Sequence, residues 1–233
     1  MHSSIFRLFC TSAILLSGHH AHAVTLLGNP DFEAIVLNVG TSEALTDASA
    51  ESNQTSAQVT PWAFSGAAGY LVTSGASSQT WGASSRFNSQ FVVLGNLSAD
   101  NQSSSLIQKF TISTAGLYHF SFDWQSASES EHADGSLVGG YGLLSMRLTT
   151  SGNTVGFAEV ATESAQQGSL SALNVALPAG TAYIILNNGY RSNGGSFNYT
   201  YIDNVQATLV PEPASSALAL LGLAGVALRR SRR

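Results

Sequence analysis

Asp123, Glu129, Glu131 and Asp134 crowd around Trp124. Two such carboxylates suffice to hydrolyse a glycosidic bond, one as acid and one as base or nucleophile. A run of side-chain oxygens can equally hold Ca²⁺, although this spacing does not follow an EF-hand. We favour a third reading, a solvated acidic loop. Beyond residue 23 the histidines are His119 and His132, and no cysteine follows Cys10. Neither histidine has the sequence spacing of a catalytic triad or a zinc site. His119 fits the outer side of a strand, and His132 a solvated loop. Sugar binding is a different chemistry. A pyranose offers C–H faces to aromatic rings and hydroxyl edges to planar polar groups. Trp81, Tyr141, Tyr190 and Arg191 lie in Gly- and Ser-rich stretches, with Asn187, Asn188 and Asn193 around the last two. These four are the glycan-binding candidates, with partial burial over a sheet edge as the alternative. Trp62 and Trp124 read as core.

The elements that position these residues are strands. Short apolar or alternating runs recur between Gly, Asn and Ser clusters, without an internal repeat or a long amphipathic helix. Strands are expected over Phe32–Asn38, Gly69–Thr73, Gln90–Leu94, Ser105–Ser113, Gly116–Ser126, Gly142–Thr149, Thr154–Val160, Ser171–Ala176, Thr181–Asn187 and Tyr199–Leu209. In the clearest, Tyr118, Phe120, Phe122 and Trp124 share one face and His119, Ser121 and Asp123 the other. Leu106, Gln108, Phe110 and Ile112 share a face of the strand before it. The turn Thr114-Ala115-Gly116 suggests that the two pair as a hairpin. Two long polar segments, Gly40–Thr60 and Ser126–Gly140, are expected as functional or mobile loops. The fold class is all-β, a single β-sandwich of the jelly-roll kind.

Only 10% of the 233 residues are charged, which suits an exported β-protein. Between Val24 and Val210 the basic side chains are Arg86, Lys109, Arg147 and Arg191, against thirteen carboxylates. Such a domain repels phosphate backbones, which excludes nucleic acid as a partner. It remains compatible with neutral glycans or Ca²⁺. With Cys10 in the leader, the mature domain has no disulfide.

The two ends are addresses. Residues 1–23 read as a signal peptide, with Arg7, an apolar stretch from Leu8 to Leu16, and small residues at Ala21 and Ala23. Cleavage is expected after Ala23. At the other end stand Pro211, Glu212 and Pro213, then an apolar helix over 214–228, then Arg229, Arg230, Arg232 and Arg233. The helix is short for a membrane span. The terminal arginines snorkel and place the C-terminus in the cytoplasm. This order of three elements resembles the PEP-CTERM sorting signal over residues 211–233. The resemblance implies an exosortase as partner and an inner-membrane precursor processed near Pro-Glu-Pro. It also implies delivery to the surface or extracellular matrix of a Gram-negative, exopolysaccharide-making bacterium.

The domain at 24–210 is similar to galactose-binding-like jelly rolls, the fold of many carbohydrate-binding modules. The matching pieces are Asn29-Pro-Asp-Phe-Glu33, Pro61-Trp62, Gln108-Lys-Phe, Ala115-Gly-Leu-Tyr118 and Ile202-Asp-Asn-Val205. This resemblance implies a structural Ca²⁺ clipping the first strand to the last, with Glu33 and Asp203 supplying carboxylates. Alternatively, Asp203-Asn204 hydrogen-bonds the backbone nearby. The function expected is a non-catalytic, exopolysaccharide- or glycan-binding module. A structural or adhesive protein acting by protein contacts is the second reading, and a glycan hydrolase the third.

Overall fold

The computed structural model describes residues 26–38, 41–48, 54–66, 68–73, 87, 89–97, 103–127, 130–131, 137–139, 142–163, 166–189 and 197–210. The expected signal peptide, the 214–228 helix and the sorting residues lie outside these. Among the described residues no helix is long and apolar enough to cross a membrane. The strands are β1 Ser42–Ala44, β2 Ala63–Gly66, β3 Ala68–Thr73, β4 Gln90–Leu97, β5 Ser104–Ile112, β6 Gly116–Ser126, β7 Ser130–Glu131, β8 Leu137–Gly139, β9 Gly142–Thr150, β10 Asn153–Thr162, β11 Gln167–Leu177, β12 Gly180–Gly189 and β13 Phe197–Leu209.

They form two sheets. One runs β1-β3-β4-β13-β6-β11, with β7 and β8 attached beside β13; the other runs β10-β9-β12-β5-β2. All pairs are antiparallel except β8 with β13. Buried and less buried residues alternate along β5, β6, β9 and β12. That period of two turns one face of each strand inward. The inward residues of both sheets make one apolar core, including Leu106, Phe120, Phe122, Leu144, Met146, Leu148, Ile184 and Ile202. Trp62 and Trp124 are both part of it. The two sheets thus form the antiparallel β-sandwich expected from the strand pattern.

Three expectations about the elements are corrected. β5 and β6 are not a hairpin: β5 lies between β12 and β2, and β6 between β13 and β11. The short link Ser113–Ala115 carries the chain from one sheet to the other. Both strands have an apolar face that must be buried, and the crossing sets those faces against each other. Phe110 and Phe120 meet there, with ring centroids 5.9 Å apart. Tyr118 fixes the corner by donating its hydroxyl to the Thr114 carbonyl, at 2.5 Å. Such corners recur in β-sandwiches.

Phe32–Asn38 is not a strand. It is held by glutamine side chains instead of a ladder. Gln90 donates to the carbonyls of Phe32 and Ile35 and accepts from Leu37 N. Gln108 accepts from Gly28 N at 3.0 Å and donates to Gly28 O at 2.8 Å. Finally, the two long polar segments contain structure of their own. β1 and a 3₁₀ turn at Ala57–Val59 fall in the first, and β7 and β8 in the second.

Candidate functional site

The N-terminal segment brings carboxylates to the eight-stranded sheet. Phe32 adopts φ +58° while fully buried, a strained conformation for a bulky residue. Its ring packs on Trp62, with centroids 5.7 Å apart, and Trp62 Nε1 donates to Asn29 O. This anchors the turn bearing Asp31 and Glu33. Glu33 Oε1 accepts from Gln90 N and from the Ser89 hydroxyl. Val205 N bonds to Pro30 O, tying the turn to β13.

Asp203 pairs with Asp123 across β13 and β6. It is buried, and burial pushes its carboxyl up to about 7, helped by the charges of Glu33, Asp31 and Asp123. A bond from Asn204 N opposes that shift. Asn204 also donates to Asp123 Oδ2, and Ser169 to Asp123 Oδ1. Glu33 and Asp203 therefore share one acidic neighbourhood. The local hydrogen bond of the alternative reading is present as well. Among the described residues no three His, Cys, Asp or Glu side chains form a ready metal cluster. His119 stays on the outer side of β6, where it bonds Asn174.

The outer sides of the two sheets differ. On the eight-stranded sheet Phe87, Phe91, Val93, Tyr199 and Tyr201 form a second apolar cluster. Phe91 and Tyr201 meet edge to face at 5.4 Å. Burial, followed by Tyr70, pushes the Tyr199 hydroxyl up to about 12, and burial raises that of Tyr201 too. The five-stranded sheet has an open depression of about 140 Å³ on its outer side. Ser105, Ser145, Arg147, Phe157, Ile185 and Asn187 line it. Phe157 is 56% exposed, large for a phenylalanine on a strand. It stands opposite Arg147, and Asn187 lies between Ser105 and Ser145. Asn187 Oδ1 is buried without a hydrogen-bond partner among the described residues. An unpaired buried acceptor costs about 1–3 kcal/mol.

Trp81, Tyr141, Tyr190 and Arg191 lie outside the described residues, as do Glu129, His132 and Asp134. The strand ends beside the loop candidates are described. Leu143, next but one after Tyr141, pairs with Gly189, which precedes Tyr190. Thr73, where the chain leaves towards Trp81, pairs with Gln90, at the end of β4 remote from Leu97 and its partner Phe197. Sequence reasoning missed Phe157 and Arg147. The only signal was an aromatic and a cation at alternating positions of neighbouring strands, and their register was unknown.

Residues 209–233 match the PEP-CTERM protein-sorting motif. No curated protein matches the chain. Among solved structures, a cyclase from Fischerella sp. TAU in complex with 4-(1H-indol-3-yl)butan-2-one is 13% identical. It aligns over 82% of this chain and 100% of its own, with a TM-score of 0.55. A Stig cyclase from the same source is 13% identical over 80% of this chain and 97% of its own, at TM-score 0.53. TmCBM61 in complex with β-1,4-galactotriose is 15% identical over 80% of this chain and 99% of its own, at TM-score 0.48. Further neighbours are carbohydrate-binding modules of the β-sandwich kind. At such identities the likeness shows the fold alone. The chain is thus a two-sheet antiparallel β-sandwich protein, with a fold like that of the two cyclases. More particularly, it carries a PEP-CTERM sorting motif, which implies an exported, exosortase-processed cell-surface protein.

Proposed function

We propose that this chain is a non-catalytic glycan-binding protein displayed on the cell surface or in the exopolysaccharide matrix. The observation that carries the reading is the open outer side of the five-stranded sheet. There an exposed ring, a guanidinium, an unpaired amide oxygen and two serines surround one depression. Ligand sites combine an apolar platform with a few convergent polar groups. Phe157 is the platform for a pyranose face. Arg147, Asn187, Ser105 and Ser145 meet hydroxyl edges. Tyr141, Tyr190 and Arg191, which adjoin the paired strand ends Leu143 and Gly189 in sequence, are further candidate contacts in this reading, and Trp81, reached from the other end of β4, is a separate candidate.

In the same proposal, Val24 is the mature N-terminus and 24–210 the exported domain. Residues 211–233 form the sorting signal, with helix 214–228 holding the precursor in the inner membrane of a Gram-negative-type cell. Glu33 and Asp203 hold a structural Ca²⁺. Their hard oxygens suit that ion, and a cation offsets the repulsion that burdens Asp203.

Co-sedimentation of the full-length chain, purified in detergent, with polysaccharide from the producing organism tests the glycan reading. Saturable binding that Phe157→Ala weakens roughly tenfold is expected. Absence of binding by a protein with an intact melting transition favours the structural or adhesive reading. Turnover of the glycan points to the hydrolase.

A further inference from the structure

The side of the sandwich that holds Phe157 also holds both cationic side chains of the described residues. Lys109 on β5 and Arg147 on β9 are exposed, while their chain neighbours Gln108, Phe110, Met146 and Leu148 are buried. Both therefore point outward from the five-stranded sheet. Register sets Arg147 opposite Ile185 and Phe157, and Lys109 opposite Tyr183. Two strand spacings and one two-residue step separate the cations, roughly 12 Å at the backbone.

The acids lie mostly elsewhere. Asp31, Glu33, Asp123 and Asp203 gather about β13 and β6 of the other sheet. Glu43 is on its edge strand β1. Asp47, which accepts from Gly66 N at the end of β2, and Glu163, just after β10, lie at the borders of the five-stranded sheet. Glu159 lies on its outer side, one row from Arg147 and opposite Ser145. A chain that is acidic as a whole thus keeps its described cations on a single face.

We propose, resting on the glycan reading above, that this face selects an acidic polysaccharide, one whose pyranose rings carry carboxylates. Phe157 stacks on the ring. The Arg147 guanidinium takes the carboxylate, because its planar fork matches two carboxylate oxygens at once. Asn187, which lines the same depression, offers its side-chain amide to a hydroxyl. Arg147 and Asn187 sit in neighbouring rows, so together they orient the sugar. The acidic remainder of the molecule repels a polyanion and confines it to this face.

The test uses the full-length chain in detergent with three probes: polygalacturonate, the same polymer fully methyl-esterified, and dextran sulfate. Affinity electrophoresis should show retardation by polygalacturonate at least tenfold stronger than by its ester. Arg147→Gln should weaken it about tenfold, Arg147→Lys should restore it in part, and added salt should weaken it. Phe157→Ala should weaken both forms. Equal retardation by acid and ester, lost in Phe157→Ala but unmoved in Arg147→Gln, overturns the acidic selection and leaves glycan binding standing. Dextran sulfate retarding as strongly as polygalacturonate, with no response to either variant, also overturns it. Failure to bind these probes or the producer's polysaccharide, by a protein with an unchanged melting transition, overturns the glycan reading and this inference together.

Discussion

At the residue scale, the most loaded side chain is Asp203. A buried carboxylate facing three other acids is a liability that a hard cation removes. Calcium should therefore raise the melting temperature of the wild-type protein, and EDTA should reverse this. Asp203→Asn keeps the shape and deletes the charge. We expect that variant to melt at or above the wild-type temperature in EDTA, and to gain little from calcium. A calcium response in Asp203→Asn equal to wild type would place the ion elsewhere; no response in either protein would remove it. The pair Glu33 and Asp203 came from the likeness of Asn29–Glu33 and Ile202–Val205 to known modules. Their nearness is visible only once Pro30 O is seen bonded to Val205 N.

At the element scale, the N-terminal segment shows how a stretch with strand-like composition is placed without a ladder. Gln108 projects from the inward face of β5 and gives Gly28 both bonds that a neighbouring strand would give. Gln108→Leu conserves much of the volume and leaves Gly28 N and O unpaired. Gly28 is exposed, so water can take up its freed groups and each lost bond costs only about 0.5–1.5 kcal/mol, partly offset by the apolar side chain. The expected result is a melting temperature lower by roughly 2–6 °C, for about 1–2 kcal/mol lost. Earlier proteolysis near residues 26–38 should accompany it. An unchanged transition would mean that the segment is not part of the cooperative fold. The edges of the sandwich also bear on its partners. β11 carries a bulge between Ala172 and Val175, with Asn174 at φ +56°, and β1 is only three residues long. Bulged and short edges resist strand addition. That weighs against matrix assembly through the β11 and β1 edges.

At the scale of the whole molecule, sorting and the proposed binding should be separable. The motif at 209–233 begins at the last residue of β13, and Pro211, Glu212 and Pro213 lie beyond that strand, so altering these three leaves the sandwich sequence intact. Replacing Pro211, Glu212 and Pro213 by alanine should leave a full-mass precursor in the inner membrane, while the purified variant binds glycan as before. Intact mass and cell fractionation check this. Normal processing of the variant would show that these three residues are not what the exosortase reads.

Alternation along Tyr118–Trp124 and Leu106–Ile112 was enough to assign the class, two apolar-faced sets of strands closing on one core. The C-terminal sorting motif was also legible, because it is read by local order and composition. Strand partners were not. β5 and β6 are adjacent in sequence and joined by a tight turn, yet they belong to different sheets, because each buries its aromatic side by facing the other. The open depression was hidden for a related reason. Ser105, Ser145, Arg147, Phe157 and Asn187 come from four strands, and only long-range register brings them to one face. The sequence by itself determined what kind of surface each strand offers, since side-chain direction follows a period of two. Only the tertiary structure decided which surfaces meet, because antiparallel pairing depends on partners far apart in the chain.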